Sequence, residues 1–471
     1  MSRQRPINAD EPTPEAGKPD SSESAPEPTP SQTEAKSQAD DTPSEPSQKS
    51  GEPPEPPSPP GRGRSIPTAL KVAGGLVLLA VVFIVAAVIG GSGGGSGDKE
   101  QPAPAPAPTV EAKESDSSSA TTQNATELGY PAFATDNTTR IGGSDPAANA
   151  AATALAVFPS TTASQRPAAV AVAGEDDWQA AIATAVLMAP PVRAPLLLSA
   201  PDEMPDASSE ALAALDPAGS KDSGGASVFA IGDVDVSGNG KKTKVAAGEP
   251  AAMAVSIAEL RERLAGPRPG HYLVAPEASP AFAMPAAAWA ARSGDPVLFS
   301  AAKALPKATA RFLRKHPKVP VYVLGPAGAI SSAVVGEIGK IGENVHRVAG
   351  ADPVANAVAF ARYHDGSFGW NINDPGHGFV LARDESPLDA AAAAPLSASG
   401  TWGPLLLSDS ASTLPDAVRE YFLDVKPGYT NDPTRAFYNH VWVIGDQEAI
   451  DVNQQAEVDE LAELAKIGGE E

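Results

Sequence analysis

Arg347-Val-Ala-Gly-Ala-Asp-Pro-Val-Ala-Asn356 is the third appearance of one pattern. It comes first as Arg140-Ile-Gly-Gly-Ser-Asp-Pro-Ala-Ala-Asn149 and again as Lys244-Val-Ala-Ala-Gly-Glu-Pro-Ala-Ala-Met253. The copies start 104 and 103 residues apart. That spacing is too long for a solenoid unit of ~20–50 residues, so it predicts tandem domains. Other landmarks recur in the same order. A strand-like run appears as Pro195-Leu-Leu-Leu-Ser199, Pro296-Val-Leu-Phe-Ser300 and Pro404-Leu-Leu-Leu-Ser408. A helix start follows at Met204-Pro205, Leu305-Pro306 and Leu414-Pro415, where proline suits the first turn. A second apolar run closes each copy: Val228-Phe-Ala-Ile-Gly232, Val321-Tyr-Val-Leu-Gly325 and Val441-Trp-Val-Ile-Gly445.

Continuous apolar runs of strand length, separated by Ala-rich helical stretches, predict parallel sheets covered on both faces. The fold class expected is therefore α/β, in three modules at 138–240, 241–343 and 344–471.

The residues before these modules differ in character. Residues 1–64 are rich in Pro, Ser, Glu and Asp and poor in large apolar side chains. They cannot bury enough surface to offset ordering entropy and are expected to be a disordered, acidic tail. Within 68–91, Val72 to Ile89 is an uninterrupted run of apolar residues and glycine, long enough for a single transmembrane helix. Arg62, Arg64 and Lys71 precede it, and the first acidic residue after it is Asp98. The positive-inside rule then places the tail in the cytoplasm and the modules outside. Residues 92–137 combine Gly/Ser and Pro/Ala segments and are expected to act as a linker. The tail invites a cytoplasmic protein partner. A net charge of −23 argues against nucleic acid, and the absence of cysteine excludes disulfides and thiolate chemistry.

The Arg347–Asp352 pattern, Pro404–Ser408 and Val321-Tyr-Val-Leu-Gly-Pro-Ala-Gly-Ala-Ile-Ser331 together resemble the cell-wall-binding repeat 2 family of Gram-positive surface proteins. The resemblance covers about residues 138–471. It implies Toprim-like (Rossmann-like) modules packed with pseudo-threefold symmetry, and non-covalent attachment to an anionic cell-wall polymer. The chain departs from the family pattern in its first motif. Pro146, Pro250 and Pro353 stand where that motif carries a second arginine, and Asp389-Ala390-Ala391 is a loose remnant of its Asp-Ala-Leu motif.

An anionic polymer requires cations, yet residues 138–471 carry 25 basic against 39 acidic side chains. One stretch reverses the balance. No acidic residue lies between Asp295 and Glu337, and Lys307, Arg311, Arg314 and Lys318 recur at helical spacing, with Phe312 and Leu313 directed toward the sheet. Three readings stay open: an anion-binding stripe, a solvated helix face, or salt bridges to the acidic Asp206, Glu210, Asp416 and Glu420 of the matching helices. Arg140, Lys244 and Arg347 share one repeat position. They either line a common groove or pair with Asp145, Glu249 and Asp352.

Catalytic motifs are weak. Gly90-Gly-Ser-Gly-Gly94 fits a nucleophile-elbow pattern but stands in a linker. No phosphate-binding glycine loop occurs, and the carboxylates following the strands form no recurring metal pair. His364, Asp365, Asp374 and His377 weigh as a metal set against ordinary surface and core residues. Trp178, Trp289 and Trp402 weigh as core residues against sugar platforms. The expected protein is thus a non-enzymatic, cofactor-free envelope protein, anchored by one helix in the cell membrane and gripping a wall polymer. The alternative is an extracytoplasmic protein-interaction scaffold with degenerate repeats.

Overall fold

The computed structural model describes residues 136–236, 240–264, 266 and 268–468. The expected tail and membrane segment, and the linker up to residue 135, lie outside the described residues. Among the described residues no helix is long and apolar enough to cross a membrane.

The first repeat supplies β1 (Thr138–Ile141), α1 (Pro146–Val157), β2 (Val170–Gly174), α2 (Trp178–Thr184, with a 3-10 turn to Met188), β3 (Leu196–Ser199), α3 (Asp206–Leu215) and β4 (Val228–Ile231). The second supplies β5 (Lys242–Val245), α4 (Pro250–Arg263), β6 (Tyr272–Pro276), α5 (Pro280–Ser293), β7 (Val297–Ser300), α6 (Lys307–Lys315), β8 (Val321–Leu324) and α7 (Ser332–Gly339). The third supplies β9 (Val345–Val348), α8 (Pro353–Arg362), β10 (Gly378–Arg383), α9 (Pro387–Ala398), β11 (Leu405–Ser408), α10 (Asp416–Asp424), β12 (Gly428–Tyr429), β13 (His440–Ile444), α11 (Val452–Ala462) and β14 (Ala465–Lys466).

The helix starts follow from local chemistry. Pro146, Pro250 and Pro353 occupy the first turn of α1, α4 and α8, where a missing N–H leaves nothing unpaired. Asp145 and Asp352 cap α1 and α8 by accepting from Ala148 N and Ala355 N at 2.9 and 2.8 Å. The longer Glu249 makes no such cap. Pro205, Pro306 and Pro415 stand one residue ahead of α3, α6 and α10, in extended backbone.

Three four-stranded sheets result, in the orders β3-β2-β4-β5, β7-β6-β8-β9 and β11-β10-β13-β1. Every pairing in them is parallel. Their membership crosses the expected boundaries 138–240, 241–343 and 344–471. The strand that opens a repeat is the outer strand of the preceding sheet: β5 pairs with β4, placing Lys244 opposite Ala230, and β9 pairs with β8, placing Arg347 opposite Val323. The first repeat follows no described repeat. Its β1 instead pairs with β13, Arg140 opposite Val443, and closes the third sheet. The physical reason is that a parallel sheet leaves unpaired backbone groups along an outer strand, and β13 would present such an edge without β1.

The Ala-rich helices that follow the inner strands β2, β6 and β10, namely α2, α5 and α9, touch one another. Ala181, Ala183, Ala286, Ala287, Ala391 and Ala393 are buried there in a single apolar cluster that draws on all three repeats. Small side chains let the helix axes approach closely, which makes the three repeats one packed body. Polar and aromatic contacts cross the same seams. Asn149 Nδ2 donates to Asp389 Oδ1 at 2.9 Å, and Gln179 Nε2 to the carbonyl of Glu277 at 3.0 Å. Trp178 meets Phe299 edge-on at 5.7 Å.

Candidate functional site

Helix α6 is held to its sheet on one side only. Thr309 Oγ1 donates to the carbonyl of Phe299 at 2.7 Å, Phe312 lies edge-on to Tyr272 at 5.1 Å, and Leu313 is buried. This fixes the outward face. Lys307, Arg311 and Arg314 are exposed on it, and Lys318 is exposed in the turn just beyond the helix. Lys303 is exposed ahead of it. None of these five takes part in an ion pair with a described residue. Only Lys315 is paired, to Glu259 of α4 at 2.8 Å. The acidic side chains of the matching helices lie apart from the stripe: Asp416 pairs with Arg419 of its own helix, at 2.6 Å. Salt bridging between the helices therefore does not occupy the stripe.

Arg140, Lys244 and Arg347 do not converge on a groove, and none pairs with its neighbouring acid. Arg140 is buried. Its Nη1 donates to the carbonyls of Gly445 and Asp446 at 2.9 and 2.6 Å, its Nη2 to Ile450 O at 2.5 Å, and its Nε to Gln455 Oε1 at 3.1 Å. Burial lowers its pKa to about 10, against the opposing pull of Asp446 and Asp451, so it stays charged at neutral pH. Arg347 repeats the arrangement half-buried, with Nη1 on Gly325 O at 2.5 Å and Nη2 on Ile330 O at 2.6 Å. In both, the guanidinium gathers carbonyls from the loop that follows the neighbouring strand. Lys244 is exposed. Among the described residues between β4 and β5 there is no counterpart of α7 or α11 to gather carbonyls around it. The donors of Arg140 and Arg347 are thus used inside the fold.

The C-terminal ends of parallel strands are where open α/β sheets place ligands. Here those ends carry acids. In the first sheet a cleft of about 280 Å³ is lined by Gly174, Asp176, Asp177, Gly232, Asp233 and Gly248 among others. Asp177 caps α2 through Ala180 N at 2.8 Å, and burial, with Asp176 adding to it, raises its pKa. Burial likewise raises Glu277 and Asp384 in the other two sheets. These ends repel an anion, whereas the α6 face attracts one. Among the described residues no three His, Cys, Asp or Glu side chains are placed to hold a metal ion. Asp365 instead accepts from Tyr322 OH at 3.0 Å. Trp289 is buried, and the half-buried Trp402 lies beneath the Arg292 guanidinium at 4.3 Å.

Three parallel α/β repeats are thus fused through a common helical centre, and the second bears an exposed cationic helix face. Residues 347–454 match the family Cell wall binding domain 2 (CWB2). The resemblance to cell-wall-binding repeats is therefore shown, over a segment running from β9 into α11. No curated protein sequence matches the chain. Among solved structures the chain is similar to Cwp8 from Clostridium difficile, at TM-score 0.54 and 20% identity over 69% of this chain and 52% of that one. It is also similar to Cwp6 from Clostridium difficile, at TM-score 0.55 and 17% identity over 69% of this chain and 48% of that one. At these identities the shared property is the fold, and the chain spans about half the length of either protein.

Proposed function

We propose that this is an extracytoplasmic protein of the cell envelope whose repeats, read as Toprim-like, bind an anionic cell-wall polymer non-covalently, a binding role that itself involves no catalysis. The observation that carries this reading is the unpaired cationic face of α6, Lys307, Arg311, Arg314 and Lys318, on an otherwise acidic body. Their role is to pair with phosphate or carboxylate groups along the polymer. Exposed contacts of this kind contribute less than ~1 kcal/mol each, so useful affinity comes from several acting on one chain. Lys244, exposed in β5, is a subsidiary contact. The apolar segment 68–91 is read as the membrane anchor and residues 1–64 as a cytoplasmic tail available to a protein partner.

Cosedimentation of the purified full-length protein with cell-wall sacculi tests the reading. Binding should fall on stripping the anionic polymers and as salt rises, and Lys307→Glu with Arg311→Glu should weaken it further. Undiminished binding to stripped sacculi would sink the polymer reading. A protein-interaction scaffold is the second reading. It is favoured by Pro146, Pro250 and Pro353, which start helices where the family motif carries an arginine. Salt-insensitive capture of a protein partner, with no binding to sacculi, would select it.

A further inference from the structure

The three repeats act as controls for one another, and at one position the second repeat stands apart. The registers β2–β3, β6–β7 and β10–β11 align Ala171 with Leu273 and Val380, and Leu196 with Val297 and Leu405. Two residues before these, the first repeat has Ala169 and Ala194, both buried, and the third has Gly378 and Gly403. The second has His271 and Asp295, 8% and 2% exposed. The fold closes over alanines or glycines at this place, so it does not require an ionisable pair. A buried polar network that the architecture does not need points to a site.

The network has a definite order. Asp295 Oδ1 accepts from the backbone N–H of Gly270 and of His271, each at 3.0 Å. Its Oδ2 accepts from Trp289 Nε1 at 2.9 Å and lies 3.0 Å from His271 Nδ1. An ionised Asp295 holds the imidazole proton on Nδ1, which leaves Nε2 as an acceptor. Facing that nitrogen at 3.2 Å is Ser367 Oγ, from a segment between α8 and β10 of the third repeat. Ser367 is exposed, on a tight turn closed by the paired backbone bonds of Asp365 and Phe368, with Gly366 at φ +61°. The amides of Ser367 and Gly369 donate to no described residue. A hydroxyl within reach of an imidazole that a buried carboxylate orients is the arrangement that activates serine nucleophiles.

We propose that Ser367 and His271, positioned by Asp295, form a serine-nucleophile site that cleaves carboxylic esters presented at the seam between the second and third repeats. Ser367 Oγ attacks the ester carbonyl carbon and passes its proton to His271 Nε2. The carbonyl oxygen gains negative charge, for which the free amides of Ser367 and Gly369 are the available donors. The C–O bond to the alcohol breaks, and His271 returns the proton to the departing alkoxide. Water, deprotonated by His271, then releases the carboxylic acid and restores Ser367. No oxidant, metal or cofactor enters the balance. Because Ser367 stands on an exposed turn rather than in a deep cavity, the fitting substrate is an acyl ester carried on an extended chain. The site is independent of the cationic face of α6, so loss of wall binding would leave it standing.

The test is covalent labelling of the full-length protein with a fluorophosphonate probe, the adduct being located by peptide mass. The expected result is one adduct, on Ser367, absent from Ser367→Ala at an unchanged melting temperature. Asp295→Asn, which keeps hydrogen-bonding atoms in place but favours the wrong imidazole tautomer, should slow labelling on the order of 10³–10⁴-fold. His271→Ala should recover part of the rate with added imidazole, which a merely structural histidine would not. No adduct on the wild-type protein, under conditions that fully label a known serine hydrolase, overturns the proposal. An adduct that survives in Ser367→Ala overturns it equally, and the network then serves only to lock the seam.

Discussion

Replacing Arg140, Arg347 and Lys244 by alanine, one at a time, should produce a graded loss of stability, although all three hold one repeat position. Arg140 is buried, and three of its four hydrogen bonds go to backbone carbonyls in the loop after β13. Removing it leaves the buried carbonyls of Gly445 and Ile450 without this donor, while the Asp446 carbonyl keeps its bond from Ile450 N, at ~1–3 kcal/mol for each unsatisfied group before relaxation. It also removes the clasp holding β1 on β13. A net loss of about 3–5 kcal/mol is expected, the range found when one partner of a buried charged network is deleted. Arg347 serves two carbonyls and is half-buried, so solvent can replace it, and roughly 1–2 kcal/mol is expected. Lys244 is exposed and should change stability by less than ~0.5 kcal/mol. Guanidinium unfolding followed by far-ultraviolet circular dichroism, with midpoint and slope fitted for each variant, measures the series. If Arg140→Ala costs no more than Lys244→Ala, the account of Arg140 as the clasp of the third sheet is wrong.

Asp389 should make stability rise on mild acidification. Burial chiefly raises its pKa to about 6, against the bonds from Asn149 and Ser386. Its folded value then exceeds the unfolded ~3.9, the folded state binds more protons between pH 4 and 6, and stability is lost as pH rises through that window. Asp389→Asn should flatten the profile there, read from melting temperatures between pH 4 and 7. Ala287→Leu, at the contact of the three central helices, should cost ~1–3 kcal/mol by overpacking, and an unchanged unfolding midpoint would show the seams to be loose. Lys307→Glu with Arg311→Glu should leave the melting temperature nearly unchanged while lowering affinity for intact sacculi, because both side chains are exposed and unpaired. Gly378→Ala should be strongly destabilising in the same unfolding assay, since an added Cβ would overlap the carbonyl oxygen of Thr401.

Elements whose determinants are local are legible in the sequence. The apolar runs Leu196–Ser199, Val297–Ser300 and Leu405–Ser408 are buried strands because four consecutive apolar or small side chains suit a sheet covered on both faces. The α6 stripe is legible because helical spacing alone puts Lys307, Arg311 and Arg314 on one side and Phe312 and Leu313 on the other. Sheet membership is not. The residues of β1, β5 and β9 carry the same pattern whichever sheet they join, and only the closed arrangement sends β1 to β13. For the same reason the partners of Arg140 are hidden, being main-chain oxygens some three hundred residues away. Asn149 and Asp389 are each visible as motif residues, but their mutual bond joins different repeats. His271, Asp295 and Ser367 are equally unreadable, because only the folded seam brings the serine to the imidazole.

The pairing of β1 with β13 also dictates an order of assembly during synthesis. The sheets β3-β2-β4-β5 and β7-β6-β8-β9 each draw on one contiguous stretch of chain and can form as that stretch emerges from the ribosome. The third sheet needs Thr138–Ile141, made first among the described strands, and partners at Val441–Ile444, some three hundred residues later. Until His440–Ile444 has been made β1 has no partner strand, and the edge of β13 does not yet exist. A nascent chain halted before His440 would therefore hold two finished sheets and a strand waiting for its third, so native-like protease resistance at the start of the fold should be acquired only once His440–Ile444 has been made.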